Sequence, residues 1–310
     1  MCGLFGLLDY QQQLSTDKRQ NMLNALAIES EVRGKDATGI AYYNKNRLCI
    51  QKAPLPAHLM RFQLTHKASF IIGHTRAATH GLAKDNYNNH PFVGHAHGTF
   101  ALAHNGVLYN HLYLRKMLNL PETGIQTDSY LAVQLLEQSG YVDFDALRDM
   151  AEAIQGSFTF TVLNKSGLYI LRGSSPFCLY DCPDKGYMVY ASTRDILEKA
   201  LLRTGCKDAF EEIPVTAGDI LHIAHDGTIT RGAFHYDFYL DYGYPALARG
   251  AGDKQTALAY AFALGMEPEE VEMLLLLGYN EYDLDDMFYD AEFRKDCKAE
   301  IAEYMYVGGN

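Results

Sequence analysis

The chain opens with MCGLFGLLDY, residues 1–10, in which Cys2 stands just before the apolar run Leu4–Leu8. A short apolar run that stops at a polar residue, here Asp9, is typical of a buried β-strand. Because Cys is small, we expect Met1 to be removed in a cytosol, which would make Cys2 the first residue. Its α-amine would titrate near pH ~8, low enough to act as a general base. The thiol nucleophile and its base would then share one residue.

Further short apolar or β-branched runs follow through the first 234 residues and predict strands that arrive in groups. The runs Phe158–Leu163 and Leu168–Leu171 flank a polar turn and predict a β-hairpin. Strands in groups favour antiparallel sheets with helices packed outside rather than a doubly wound parallel sheet. Hydrophobic periodicity predicts helices at about 17–32, 111–118, 129–138, 144–154 and 195–202.

Composition limits the class of protein. The 310 residues are 48% hydrophobic and 21% charged, which is the balance of a globular protein and excludes a disordered chain, a collagen repeat or a coiled coil. The net charge of −11 belongs to the end of the chain: residues 1–234 hold 22 basic and 22 acidic residues, and residues 235–310 hold 5 and 16. With no basic stripe, we expect neither nucleic acid nor an anionic membrane as the main partner.

Several missing features predict a cytoplasmic protein. The first residues lack the basic segment of a signal peptide. The longest apolar run, 257–266, is far shorter than the ~18 residues that span a bilayer. Six cysteines without a CxxC pair predict free thiols rather than a disulfide framework or a zinc ribbon.

Four further segments carry chemistry: RGKDATGIA at 33–41, GHTRAATHG at 73–81, AHNGVLYN at 103–110 and TDS at 127–129. Together with Cys2–Gly6 they resemble, in order and at similar spacing, the class II glutamine amidotransferase domain, a glutaminase with an N-terminal nucleophile. The similarity covers about residues 2–232 and is strongest to the glutaminase half of glucosamine-6-phosphate synthase. Each motif alone is weak, but five in this order are specific.

The resemblance implies a role for each matching residue. Cys2 would attack the side-chain amide of glutamine, and Asn105 and Gly106 would donate hydrogen bonds to the oxyanion. The guanidinium of Arg76 suits a bidentate bond to the α-carboxylate of the substrate, and the carboxylate of Asp128 would hold its α-ammonium. The remaining matches are three residues that would line the glutamine pocket, Thr79, His80 and His90, and two that would support the N-terminus, Arg33 and Asp36.

Each of these residues also has a plain structural interpretation. Arg76 could form a surface ion pair, Asp128 could cap a helix, and Asn105-Gly106 could be a type I′ turn. Taken together and behind Cys2, the functional interpretation is favoured.

Two closely spaced histidines raise the question of metal binding. His95 and His97 would share one face of a strand, which is a zinc-binding geometry, but no third ligand stands at suitable spacing, so we predict no metal site and no cofactor.

Ala77 replaces the aromatic residue that follows the motif arginine in the aminosugar synthase. This replacement puts synthase-like gating of the glutamine pocket in doubt.

The fold expected from the resemblance is α+β, a four-layer αββα sandwich of two antiparallel sheets, with Cys2 at the end of the first strand. It would occupy residues 2–234. Residues 235–310 are predicted to form a linker and a small acidic helical extension, with helices near 254–264, 268–277 and 284–306.

The predicted activity is release of ammonia from L-glutamine. The synthase halves of the relatives need far more than 76 residues, so we expect the acceptor on a separate partner protein that docks on 235–310. Two alternatives stay open. One is an amidohydrolase of the same fold that cleaves another γ-glutamyl amide, and the other is a non-catalytic glutamine-binding regulatory module.

Overall fold

The computed structural model describes residues 2–78, 81–236 and part of the C-terminal region, namely 264, 266, 267, 270, 271, 273, 274, 277, 279, 284, 287 and 291–307. These residues form two compact units. The first unit comprises the described residues up to 108 together with 120–153 and 157–236. The second comprises 109–119, 154–156 and the described residues after 236. The domain boundary between residues 234 and 235 stays a prediction.

The first unit contains two β-sheets. The seven-stranded sheet has the order β11-β9-β10-β1-β4-β2-β3, and the six-stranded sheet has the order β13-β12-β8-β7-β6-β5. The strands are β1 (Gly3–Leu8), β2 (Ala37–Asn44), β3 (Arg47–Ala53), β4 (Phe70–Arg76), β5 (Phe92–His95), β6 (Thr99–Leu108), β7 (Gly156–Asn164), β8 (Gly167–Arg172), β9 (Cys178–Cys182), β10 (Tyr187–Ala191), β11 (Glu211–Ile213), β12 (Asp219–Ala224) and β13 (Ile229–Ala233). The strands pair antiparallel, with Gly3 opposite Thr75 in one sheet and Phe92 opposite Leu102 in the other.

Helices cover the outer face of each sheet. The helices of the first unit are α1 (Thr16–Glu29), α3 (Tyr130–Ser139), α4 (Phe144–Ala153) and α5 (Arg194–Arg203), and α2 (His111–Met117) belongs to the second unit. Helices α1 and α5 pack on the first sheet, and α3 and α4 contact β5 and β12 of the second sheet. The predicted αββα arrangement is therefore confirmed.

Strand β1 shows why the two sheets stack. Its side chains alternate between two cores: Phe5 and Leu7 pack with Leu23 and Leu26 of α1, whereas Leu4 and Leu8 pack against the second sheet. Every residue of β1 is buried, as expected for a strand covered on both faces. Cys2, which directly precedes this strand, is thereby held at the edge of the interior.

The five helices predicted between residues 17 and 202 and the β7–β8 hairpin are confirmed to within a few residues. The segment that contains His95 and His97, expected to share one face of a strand, is a hairpin of β5 and β6 with its turn at 96–98. His97 lies in this turn with φ +39°, and so it does not share a strand face with His95. The zinc-like geometry considered for that pair was wrong.

The second unit has an apolar core of its own, formed by Leu264, Met266, Val271, Leu274, Leu284, Met287, Cys297 and Ile301. The helix predicted near 284–306 is confirmed over Ala291–Val307. The helix predicted at 254–264 lies outside the described residues except for Leu264. Within the described part of the chain, no helix combines the length and apolar character needed to cross a membrane. The cytoplasmic location stays a prediction.

Candidate active site

Cys2 lies where β1 begins and β4 ends. Gly3 pairs with Thr75, and a Cβ on Gly3 would lie only 2.6 Å from the Thr75 hydroxyl oxygen, so this close approach requires glycine. The Sγ of Cys2 lies 3.5 Å from the carbonyl oxygen of Ala77, and the Nε of Arg33 donates to the Cys2 carbonyl at 2.7 Å. The thiol therefore faces the segment that follows β4.

Burial keeps the thiol of Cys2 protonated. Burial raises the pKa of Cys2 above its ordinary value, and the carboxylate of Asp128 acts in the same direction, whereas the guanidinium of Arg76 opposes it. Both side chains are thus close enough to influence Cys2 electrostatically. A thiol with a raised pKa needs a base to accept its proton before it can attack a substrate.

The segment 33–36 holds the residues after β4 against Cys2. Asp36 accepts a hydrogen bond from the Ala78 N–H at 2.8 Å, and its own N–H donates to the Arg76 carbonyl at 2.9 Å. A Cβ on Gly34 would lie 2.3 Å from the Arg76 carbonyl carbon. The structure thus brings Arg33 and Asp36 together with Cys2 and the 76–78 segment. Thr79 and His80 lie outside the described residues.

Arg76 is a buried residue, 3% exposed, and not part of a surface ion pair. Its guanidinium donates to the Asn89 side-chain oxygen and to the Gly81 carbonyl, both at 2.8 Å. Asn89 in turn donates to the Ala83 carbonyl at 2.8 Å. The arginine therefore organises the segment 81–89 and places a charged group inside the protein.

Lys52 supports the same segment from β3. Its ammonium donates to the carbonyls of Asn89 and Pro91 and lies 5.3 Å from the centre of the Phe92 ring. Burial and, secondarily, the nearby charge of Arg76 lower the pKa of Lys52 from 10.5 to about 8. Sequence reasoning did not identify Lys52, because its partners lie 37 and 39 residues away along the chain.

The lowered pKa of Lys52 predicts a pH dependence of stability. Below pH 8 the folded protein must hold a desolvated ammonium, and between about 8 and 10.5 this group is neutral in the folded state but charged in the unfolded state. The folded state binds fewer protons in that window, so its stability rises with pH relative to a variant without the amine. We expect the melting temperature of wild type minus that of Lys52→Met to increase by about 3 °C from pH 7.5 to pH 10.

The exposed Lys165, in the β7–β8 turn, provides the control for this measurement. The difference between wild type and Lys165→Met should stay constant over the same pH range. A difference for Lys52→Met that stays equally flat would contradict the prediction.

Asn105 and Gly106 lie inside β6 and not in a type I′ turn. Asn105 is 1% exposed, and its Nδ2 has no hydrogen-bond partner among the described residues. Gly106 has φ +142°, and a Cβ there would lie 1.8 Å from the Ser157 carbonyl oxygen, so no other residue fits. The strand therefore presents a buried amide donor beside a backbone conformation reserved for glycine.

Asp128, which lies just before α3, contacts the same end of β6. Its Oδ2 accepts a hydrogen bond from the Leu108 N–H at 2.7 Å, and the residue is 4% exposed. It does not cap α3 through its side chain, so the structural alternative of a plain helix cap was wrong. Asp128 instead ties the start of α3 to the strand that carries Asn105 and Gly106.

Three buried histidines connect the two groups of residues. His74 of β4 donates from Nε2 to the His104 carbonyl of β6 at 2.9 Å, which joins the sheets next to Asn105. His90 packs against His74 with ring centres 4.1 Å apart and the rings tilted by 34°, and neither of its ring nitrogens has a partner in the described part of the chain. Burial lowers the pKa of His74 to about 3 and also lowers that of His90, so both rings are neutral.

Among the described residues, no group of three or more His, Cys, Asp or Glu side chains is placed to hold a metal ion. The histidine rings instead pack on one another and on Phe92 and Phe160.

Sequence comparison identifies proteins that this chain resembles. Residues 74–199 match the family model described as a glutamine amidotransferase domain. The glutamine–fructose-6-phosphate aminotransferase (isomerizing) of Bacillus licheniformis is 33% identical over 57% of this chain and 30% of its own length. The enzyme of the same name from Helicobacter pylori is 31% identical over the same shares. The chain thus spans about a third of the length of the curated relatives it matches.

Solved structures share the fold. The glutamine phosphoribosylpyrophosphate amidotransferase of B. subtilis, in complex with ADP and GMP, superposes with a TM-score of 0.59 at 19% identity and covers 86% of this chain and 64% of its own. A second structure, described as the allosteric regulatory enzyme of purine biosynthesis, has a TM-score of 0.58 at 22% identity and covers 76% and 50%. At these identities the likeness concerns the fold alone.

Proposed function

We propose that this chain, whose residues 74–199 match a glutamine amidotransferase domain, releases ammonia from L-glutamine with Cys2 as its nucleophile. The observation that carries the proposal is the Nδ2 of Asn105, a buried donor without a partner among the described residues. A buried N–H left without an acceptor costs about 1–3 kcal/mol. Its presence beside Gly106 favours an acceptor that arrives with the substrate, namely the oxyanion formed when an amide is attacked.

The charges of the site suit a free amino acid. Arg76 provides a buried guanidinium for the α-carboxylate, and Asp128 provides a buried carboxylate for the α-ammonium. Both act electrostatically on Cys2, which supports their placement around one substrate. His90 and, in the segment outside the described residues, Thr79 and His80 complete the proposed pocket.

The reaction runs in two halves. After removal of Met1, the α-amine of Cys2 accepts the thiol proton, directly or through a water, and the thiolate attacks the Cδ of glutamine. Asn105 and Gly106 donate to the oxyanion, the amide nitrogen takes up the proton, and ammonia leaves. Water then attacks the γ-glutamyl thioester, which releases glutamate and restores the thiol.

The decisive experiment is a glutaminase assay on protein whose loss of Met1 is verified by intact mass. The proposal expects stoichiometric glutamate and ammonia from glutamine. No glutamate from the processed wild type would overturn it. Turnover of other γ-glutamyl amides but not of glutamine would establish the amidohydrolase alternative, and binding of glutamine without turnover would establish the regulatory module.

The fate of ammonia is a second part of the proposal. The relatives are named for amino transfer to fructose 6-phosphate. For this chain we propose an acceptor on a separate protein that docks on the acidic residues 235–310, where 16 of 21 charged residues are acidic. Truncation after His235 should abolish co-purification of that partner while glutaminase activity survives. Loss of glutaminase activity together with the partner would contradict a docking role.

Arg76→Lys tests the carboxylate site. Lysine keeps the positive charge but cannot form the planar bidentate bond. We expect the KM for glutamine to rise about 10–100-fold, which corresponds to the roughly 1.5–3 kcal/mol of a hydrogen bond to a charged group, with kcat within a few-fold of wild type. Steady-state kinetics provide the measurement, and exposed Arg61→Lys is the matched control. An unchanged KM would exclude Arg76 from substrate binding.

A further inference from the structure

Helix α3 begins without the side-chain cap that its sequence offers. Ser129 occupies the N-cap position but makes no capping hydrogen bond. Elsewhere in the first unit this chemistry is used normally: Ser15 caps α1 by accepting from the Lys18 N–H at 3.2 Å, and Thr193 caps α5 by accepting from the Ile196 N–H at 3.4 Å. The hydroxyl of Ser129 has therefore been diverted from helix capping to another partner.

That partner is His104. The Ser129 hydroxyl lies 2.7 Å from His104 Nδ1, and both residues are almost completely buried. The other ring nitrogen, Nε2, faces the Ser157 carbonyl oxygen at 3.4 Å. A carbonyl can only accept, so with the ring proton on Nε2 the Ser129 hydroxyl donates to Nδ1. The same hydroxyl lies 3.4 Å from Asp128 Oδ1, a longer contact in which it can only donate. Burial lowers the pKa of His104, so the ring is neutral and carries a single proton.

The same bonds surround the proposed oxyanion donors. The segment His104–Leu108 is held at its first residue by Ser129 and by His74, whose ring donates to the His104 carbonyl. It is held at its last residue by the carboxylate of Asp128. Between these points Val107 N–H donates to the Ser157 hydroxyl at 3.2 Å. Asp128 and Ser129, two consecutive residues at the start of α3, thus form hydrogen bonds with both ends of a five-residue stretch of β6.

The orientation of Asn105 depends on these hydrogen bonds. Its Nδ2 has no partner among the described residues, so no side-chain hydrogen bond aims that nitrogen. Gly106 is likewise placed by its surroundings, since a Cβ there would collide with Ser157 and lie 2.9 Å from His104 Nε2. The direction of both donors is consequently set by the backbone of β6.

We propose that Ser129, acting through the His104 ring, is a positioning residue for the oxyanion donors Asn105 and Gly106. This inference rests on the proposed glutaminase function. Ser129 itself does not contact the substrate in this proposal. Its effect is on the stabilisation of the tetrahedral intermediate, because an oxyanion hole works only when its donors already point at the position of the developing charge.

The test compares Ser129→Ala, which removes the hydroxyl, with Ser129→Thr, which keeps it. We expect kcat for glutamine hydrolysis to fall about tenfold in the alanine variant and to stay within threefold of wild type in the threonine variant. The KM for glutamine and the inhibition constant of L-glutamate, which lacks the tetrahedral geometry, should change less than twofold. Glutamate γ-semialdehyde forms a tetrahedral thiohemiacetal with the Cys2 thiol and so resembles the intermediate. Its affinity should fall about tenfold along with kcat.

A double variant separates positioning from general damage. If Ser129 acts mainly through Asn105, Ser129→Ala should reduce kcat by about threefold or less in an Asn105→Ala background. Thr193→Ala, which removes a true helix cap, should lower the melting temperature and leave kcat unchanged. If Ser129→Ala does not fold, Ser129→Cys, whose thiol is a weaker donor, should show the same selective loss of kcat.

The outcomes distinguish the two proposals. An inactive wild type would overturn the glutaminase function and the positioning role with it. An active wild type with an unchanged Ser129→Ala variant would overturn the positioning role alone. So would a variant that loses L-glutamate and semialdehyde affinity equally, because that pattern indicates a disturbed pocket rather than misdirected oxyanion donors.

Discussion

Replacing Cys2 by alanine is expected to lower glutaminase activity by at least about 10³-fold, since loss of a nucleophile removes the covalent pathway and leaves only binding and oxyanion stabilisation. The substitution is small and lies ahead of β1, so the buried strand Gly3–Leu8 keeps its packing. Alanine at position 2 also permits removal of Met1, and the processing of the chain is therefore unchanged. The expected protein folds and binds glutamine but does not turn it over.

Cys49 offers a matched control for Cys2. It is a free, partly buried cysteine on β3, and Cys49→Ala should retain wild-type kinetics. A glutamine analogue with an electrophilic side chain should label the processed wild type once, at Cys2, as read by peptide mass. Glutaminase activity of the Cys2→Ala variant above a tenth of the wild-type activity, or labelling at another cysteine, would show that the nucleophile lies elsewhere.

The second large effect is expected for Asn105→Ala. Loss of one oxyanion donor should reduce kcat by about 10²–10³-fold, while the KM for glutamine changes little, because the donor acts on the transition state. Thermal stability should be maintained or increased. The substitution removes a buried N–H that has no partner among the described residues and that costs free energy in the folded state.

We expect the opposite pattern for a substitution of Asn164, in the β7–β8 hairpin. Its side chain accepts from the Ser166 N–H at 2.8 Å, so Asn164→Ala should lower the melting temperature and leave kcat intact. Kinetics and thermal unfolding of the two variants, measured side by side, separate function from stability. A kcat for Asn105→Ala within threefold of wild type would remove Asn105 from the proposed mechanism.

Local patterns in the sequence were sufficient for the architecture. The apolar run after Cys2 becomes β1, and the amphipathic stretches become α1, α3, α4 and α5, because periodic burial is a property of neighbouring residues along the chain. The hairpin around 164–167 forms as its turn chemistry predicts. The same reasoning failed for His95 and His97, because the turn of a β-hairpin interrupts the alternation that would place them on one face.

The partners of the polar side chains could not be predicted in this way. The triplet Thr127-Asp128-Ser129 has the composition of a helix cap, yet the structure uses Asp128 and Ser129 to hold Leu108 and His104. Lys52 gave no signal at all, since a lysine on a strand usually points to solvent. Its contact with the segment beside Arg76 exists only because β3 and that segment meet in the fold.

The sequence by itself determined that Cys2 precedes a buried strand, that two antiparallel sheets form, and that the segments with Arg76, Asn105 and Asp128 resemble those of a glutamine amidotransferase. Only the tertiary structure decided that Arg76 is buried and donates to Asn89 and Gly81, that Asn105 Nδ2 lacks a partner among the described residues, and that Ser129 contacts His104 of β6 instead of capping α3. The physical reason is the range of the interactions. Burial periodicity is local, whereas these hydrogen bonds join atoms that only the packing of two sheets brings within reach.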